Sequence, residues 1–120
     1  MKIAVTASGE SPESRVDPRF GRAAFFLLFD TDTGSIEAHD NTQNLDAAQG
    51  AGIQAAQKVS DLGAAVVITG HCGPKAFRTL QAAGIQVVVG ADGTVEDTVG
   101  RFKAGELKPV EGPDVNSHWA

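Results

Sequence analysis

The sequence holds a single cysteine, Cys72, so no intrachain disulfide can form and a secreted fold that depends on disulfides is excluded. Nowhere do about 18 apolar residues follow one another, the minimum for a helix that spans a bilayer. The opening stretch, Met1-Lys2-Ile3-Ala4-Val5, lacks the long apolar run of a signal peptide and reads directly as a strand. These absences make the cytoplasm the expected location and leave no membrane partner to expect. Positive charge is also in deficit: ten lysines and arginines face fifteen acids, a formal net charge of −5. Such a chain repels a phosphate polymer, which argues against nucleic acid as a partner. Neither an internal repeat nor a low-complexity tract occurs.

What is present is 120 residues, 42% of them hydrophobic, which is one ordinary domain with enough apolar mass for a real core. The few cations are not spread evenly. Arg15, Arg19 and Arg22 fall close together, and Lys75 and Arg78 lie in or just after a second short motif. Local positive charge on an acidic body points to a small anion; the plainer alternative is a set of solvated surface arginines.

Lys2 to Ala7 reads as a first strand that ends at Ser8-Gly9. Glu10 to Arg22 is a long polar loop with Pro12 and Pro18. It has few apolar anchors beyond Val16 and Phe20, so mobility without a ligand is expected. Ala24 to Asp30 (AFFLLFD) is a buried strand, and Thr31 to Gly34 turns it into a more polar return strand, Ser35 to Asn41. Thr42 to Gly50 is a polar connection. Helical periodicity starts at Ile53 and closes at Gly63, and Ala64 to Thr69 (AAVVIT) reads as a covered central strand. Pro74 opens a second helix that Gly84 closes, Ile85 to Val89 is a fifth strand, and Thr94 caps a third helix to Phe102. The expected domain is therefore 1–104, with 105–120 as a loosely attached tail. Strand, hairpin, then strand–helix–strand–helix predicts an α/β domain with a mixed five-stranded sheet. In such sheets ligands sit beyond the carboxyl ends of the parallel strands, where the long loop and the Gly70–Pro74 turn must meet.

Three motifs stand at those places: Asp17-Pro18-Arg19-Phe20-Gly21-Arg22-Ala23, Gly50-Ala51-Gly52-Ile53, and Thr69-Gly70-His71-Cys72-Gly73-Pro74-Lys75-Ala76-Phe77. In combination, and with the Gly84-Ile85 closure, they resemble the nitrogenase iron–molybdenum cofactor accessory family, over nearly the whole chain to about Pro109. The resemblance implies a three-layer α/β/α domain of ribonuclease H-like topology. It also implies a non-catalytic protein that binds, carries or stores an anionic metal–sulfur cluster. One small member holds a mixed molybdenum–copper sulfide cluster without covalent attachment; a related molybdenum or iron–sulfur cluster is the other form. A protein that delivers or accepts the cluster is the implied partner. The cysteine-rich segment of the radical enzymes of cofactor assembly is absent, so cluster synthesis is not implied.

The chemistry stands without the family. A thiomolybdate-type cluster brings its own sulfides and a negative charge, so the protein needs arginines, backbone N–H donors and a helix N-terminus rather than four thiolates. The candidate binding residues are Ser8, Arg15, Arg19, Phe20, Arg22, Gly50, Gly52, Gly70, His71, Cys72, Gly73 and Lys75, with His71 and Cys72 as metal contacts. Plainer readings stand beside several of them. Gly50 and Gly52 can serve helix–sheet packing, and Phe20 can plug the core. Cys72 can be a small buried hydrophobe, although its strand-to-helix turn predicts an exposed thiol. His39 reads as solvated, and His118 in the tail has no assigned role.

A catalytic rival exists. His71-Cys72, then five residues, then Arg78-Thr79 fits the signature of cysteine-dependent phosphatases, in which a thiolate attacks and the arginine clamps the phosphate. Against it, Pro74 has no N–H for the cradle and starts a helix that carries Arg78 away from the anion.

Overall fold

In the computed structural model, which describes residues 1–41 and 50–112, β1 (Lys2–Ala7) is buried throughout after Lys2. Its side chains divide by the strand period: Ile3, Val5 and Ala7 enter one core and Ala4 the other. β2 (Phe25–Asp30) divides likewise, sending Phe26 and Leu28 one way and Leu27 and Phe29 the other. β3 (Ile36–Asp40) is largely exposed and forms one edge of the sheet. β4 (Val66–Ile68) and β5 (Gln86–Val88) complete the order β3-β2-β1-β4-β5, with β1, β4 and β5 parallel and β2 antiparallel to its neighbours.

Helices α1 (Ala51–Asp61) and α2 (Pro74–Ala82) cover one face through Ala55, Ala56, Val59, Phe77 and Leu80. Helix α3 (Val95–Lys103) covers the other through Val95 and Val99. Two helical layers thus enclose a mixed five-stranded sheet, the expected three-layer α/β/α arrangement of ribonuclease H-like topology. Element types agree with the sequence reading throughout the described residues. The differences are at ends: α1 starts at Ala51 rather than Ile53, and β4 is three residues, shorter than the expected run from Ala64 to Thr69.

Part of the segment expected as a tail, residues 105–112, is described. Val110 N–H donates to the Val87 carbonyl at 2.8 Å, so the segment after α3 pairs with the outer edge of β5. The polar connection 42–49 and His118 lie outside the described residues.

Candidate functional site

Because β1, β4 and β5 run parallel, their carboxyl ends share one edge of the sheet, and the loop after β1 lies across that edge. The loop has far more anchors than its apolar content indicated, and most are backbone groups. Val16 N–H donates to the Gly93 carbonyl at 2.9 Å, and Val95 N–H donates to the Ser14 carbonyl at 2.9 Å. His71 N–H donates to the Pro18 carbonyl at 2.7 Å, while Phe20 N–H donates back to the His71 carbonyl at 3.2 Å. Arg19 and His71 are thereby bridged in parallel, and the arginine loop is sewn to the β4–α2 turn. Gly70 permits this approach: a Cβ there would sit 2.7 Å from Pro18 Cα and 2.8 Å from its carbonyl oxygen.

Beneath the loop two buried hydroxyls hold its backbone. Thr6 Oγ1 donates to the Asp17 carbonyl at 2.7 Å and lies 2.9 Å from Thr69 Oγ1; since Thr6 has one hydroxyl proton, Thr69 is the donor of the pair. Asp17 N–H returns a bond to the Thr6 carbonyl at 3.0 Å. Farther along, buried Asn41 donates through Nδ2 to the Ala23 carbonyl at 2.8 Å and fixes the loop's exit. Sequence reasoning missed Thr6, Thr69, Asp17 and Asn41. For Thr6, Thr69 and Asn41 the signal was a polar residue at or near the end of a strand, where a buried hydroxyl or amide must find a partner; Asp17, in the loop, gave none.

Two helix N-termini open on the same edge. Ile53 and Lys75, from the first turns of α1 and α2, line one shallow depression with Arg78 and Thr79. Gly50 caps α1 at φ 76°, a left-handed conformation that favours glycine, and Gly52 is buried in the first turn. Gly73 caps α2, whose first bond runs from Phe77 N–H to the Gly73 carbonyl, leaving Lys75 and Ala76 N–H groups without intrahelical partners. Neither helix has a side-chain cap among the described residues, and neither has an acid in its first turn. Helix α3 is the opposite: Thr94 Oγ1 accepts from Asp97 N–H at 3.3 Å, and Glu96 and Asp97 face its dipole. Positive potential is therefore left uncompensated only at the α1 and α2 starts among the described helices.

The expected site residues separate into groups. Arg19, Gly70, His71 and Gly73 are brought together at the β4–α2 turn, with Lys75 beside them in α2. Arg22 is half-buried at the loop's exit. Ser8 and Arg15 bond to each other, Ser8 N–H to the Arg15 carbonyl at 3.0 Å, and Arg15 bridges to Thr94 on the α3 side. Phe20 takes its plainer reading as a core plug: it is fully buried, with its ring 5.7 Å from that of Phe26. Cys72 is corrected. Its side chain is fully buried in the α1/α2-side core, and its thiol approaches the Gly73 carbonyl at 3.8 Å. The exposed thiol that the turn position predicted is not there: Cys72 and Phe20, from the long loop, belong to the same buried cluster. His39 is partly covered and bonds Glu37 Oε1 at 3.1 Å.

The phosphatase cradle is not formed. Residues 74–78 are already helix, Arg78 is exposed on α2, and the Cys72 thiol is buried. Among the described residues no group of three or more His, Cys, Asp or Glu side chains could hold a metal ion. No helix among them is long and apolar enough to cross a membrane. The edge offers cations and backbone donors, the donor set for an anion that brings its own ligands.

The chain is similar to known proteins over most of its length. The apo form of the orange protein from Desulfovibrio gigas is 46% identical, superposes with a TM-score of 0.93, and the match covers 95% of this chain and 96% of that one. A Thermotoga protein of the DUF35 family, solved by NMR, is 33% identical with a TM-score of 0.79, over 90% of this chain and 91% of that one. An uncharacterised protein of Methanocaldococcus jannaschii is 26% identical over 113 residues, 92% of each chain. Residues 1–105 match the family described as dinitrogenase iron–molybdenum cofactor, and the chain belongs to that family.

Proposed function

We propose that this chain is a non-catalytic carrier of an anionic metal–sulfur cluster, a molybdenum–copper sulfide or a related molybdenum or iron–sulfur cluster, held without covalent bonds. One observation carries the reading: an arginine loop is sewn to the turn that opens α2, a helix with neither a side-chain cap nor a first-turn acid among the described residues. Arginine side chains would bond the sulfides and oxo groups, and the N–H groups of Lys75 and Ala76 would add fixed donors. His71 is the soft contact at the rim. Cys72 comes within reach of a cluster only if the 70–73 turn opens, so it is a secondary ligand in this reading. A protein that delivers or takes the cluster would meet this same edge.

The test is a titration of tetrathiomolybdate with copper(I) into the wild type, Arg19→Ala/Arg22→Ala and Cys72→Ser, followed by visible absorption. Each charge-assisted contact contributes about 1.5–3 kcal/mol, so the double arginine variant should lose at least about a hundredfold in affinity. The serine variant should lose far less. Complete loss of uptake in Cys72→Ser with retention in the arginine variant would make Cys72 a direct ligand and overturn the charge-held site. Hydrolysis of an aryl phosphate that disappears in Cys72→Ser would establish phosphatase chemistry instead.

A further inference from the structure

Asp17 is out of place in an anion site. It stands two residues before Arg19, within the arginine loop, and its side chain is only 13% exposed. Its Oδ1 accepts the Arg19 backbone N–H at 3.0 Å, which fixes the turn that presents the arginine. The same oxygen lies 4.0 Å from Arg19 Nε, so the carboxylate is also a counter-charge to that guanidinium. Thr6 clamps the Asp17 peptide through its hydroxyl and carbonyl, with Thr69 behind it, so the residue cannot drift from this place.

The turn needs an acceptor at position 17, but it does not need a charge. Asparagine and serine form the same side-chain-to-backbone turn. A carboxylate adds one negative charge beside a guanidinium that an anion must share. We propose that Asp17 is a positioning residue that also sets the affinity of the edge: it orders the Arg19 turn and, by holding part of the arginine's charge, keeps anion binding weak enough for release. The proposal rests on reading that edge as a site for an anionic cluster. A cargo protein must give up what it holds, and a competing internal carboxylate shortens the bound lifetime without loosening the loop.

The test uses Asp17→Asn and Asp17→Ser in the full chain, each alone and with Arg19→Ala, titrated with tetrathiomolybdate and, separately, with tetrathiomolybdate plus copper(I). Both single variants should bind about two- to fivefold more tightly than wild type, the span for a partly exposed ion pair. Higher salt should erase that gain. In the Arg19→Ala background the gain should vanish, because the carboxylate acts through that guanidinium. Equal or weaker binding by both variants, with wild type binding normally and thermal transitions unchanged, would overturn the role of Asp17 and leave the cluster site standing. A gain that persists without Arg19 would overturn the coupling. If neither wild type nor the Asp17 variants take up the probe, the anion site itself fails and this role fails with it.

Discussion

Gly70 has no room for a methyl group, because the Pro18 backbone occupies the position where one would go. Gly70→Ala must push the arginine loop off the β4–α2 turn, and overpacking of this kind costs about 1–3 kcal/mol. The expected result is a lowered thermal transition together with weakened thiomolybdate uptake; an unchanged transition would mean that the loop yields freely. Cys72 gives a second expectation. A thiol buried in an apolar cluster reacts slowly, so Ellman's reagent should modify the folded protein far more slowly than the protein in urea. Fast modification of the folded protein would show the turn to be open in solution. Both residues stand in a motif that the sequence made conspicuous, yet their roles were only half legible. Glycine in a turn signals a special backbone, but what presses against it comes from a distant loop. Cys72 looked exposed for a similar reason: the cluster that buries it draws on distant segments, Phe20 in the long loop among them, and sequence spacing carries no sign of that grouping.

At the scale of elements, helices and strands were legible because apolar spacing distinguishes a period of 3.6 from one of 2, and glycines mark the closures. The loop's order was not, since it is held by backbone N–H and carbonyl groups that leave no mark on residue type. Capping was legible where it matters. Thr94 announced α3 and Pro74 announced α2, whose start has no comparable side-chain cap in the structure. That contrast yields a prediction with opposite signs. Lys75→Glu places an acid in the first turn of α2, which should stabilise the helix by about 0.3–1 kcal/mol. The same change should weaken anion uptake, because it fills the uncompensated potential with a fixed charge and removes a cation. A melting curve and a thiomolybdate titration on one sample check both signs; tighter uptake would place the anion elsewhere. The β2–β3 hairpin offers a pH reading. Asp30 accepts the Asp32 N–H at 2.9 Å, and this bond, first among several causes, holds its carboxyl below the ordinary value of 3.8. The folded value lies below the unfolded one, so the contribution is present at neutral pH and is lost as pH falls through the lowered value. An NMR titration of Asp30 should therefore show the hairpin turn intact at pH 5 and loosening only in stronger acid.

For the molecule as a whole, the difficulty of an open sheet is its edges, which offer unpaired backbone groups to other chains. β3 meets this with exposed polar residues, Glu37 and Asp40, and with the partly covered His39. β5 meets it differently. After α3 the chain sets Leu107 against the α3-side core, then crosses the edge and sets Val110 against the opposite core, pairing with Val87 as it passes. The segment thus ties both helical layers to the sheet, which a polar stretch with scattered prolines and glycines did not reveal in the sequence. The match to the family model ends at residue 105, just before this strap. If it belongs to the folded unit, a chain cut after Gly112 should melt like the full chain, and one cut after Lys103 should not. Two partly buried apolar side chains and one backbone bond contribute about 1–3 kcal/mol together. For a domain of this size that is a fall in Tm of about 5–15 °C. The shorter chain should also self-associate more readily, because its β5 edge is bare. Equal melting temperatures and equal solubility for the two truncated chains would return the boundary to residue 104 and leave the strap as an ornament of the surface.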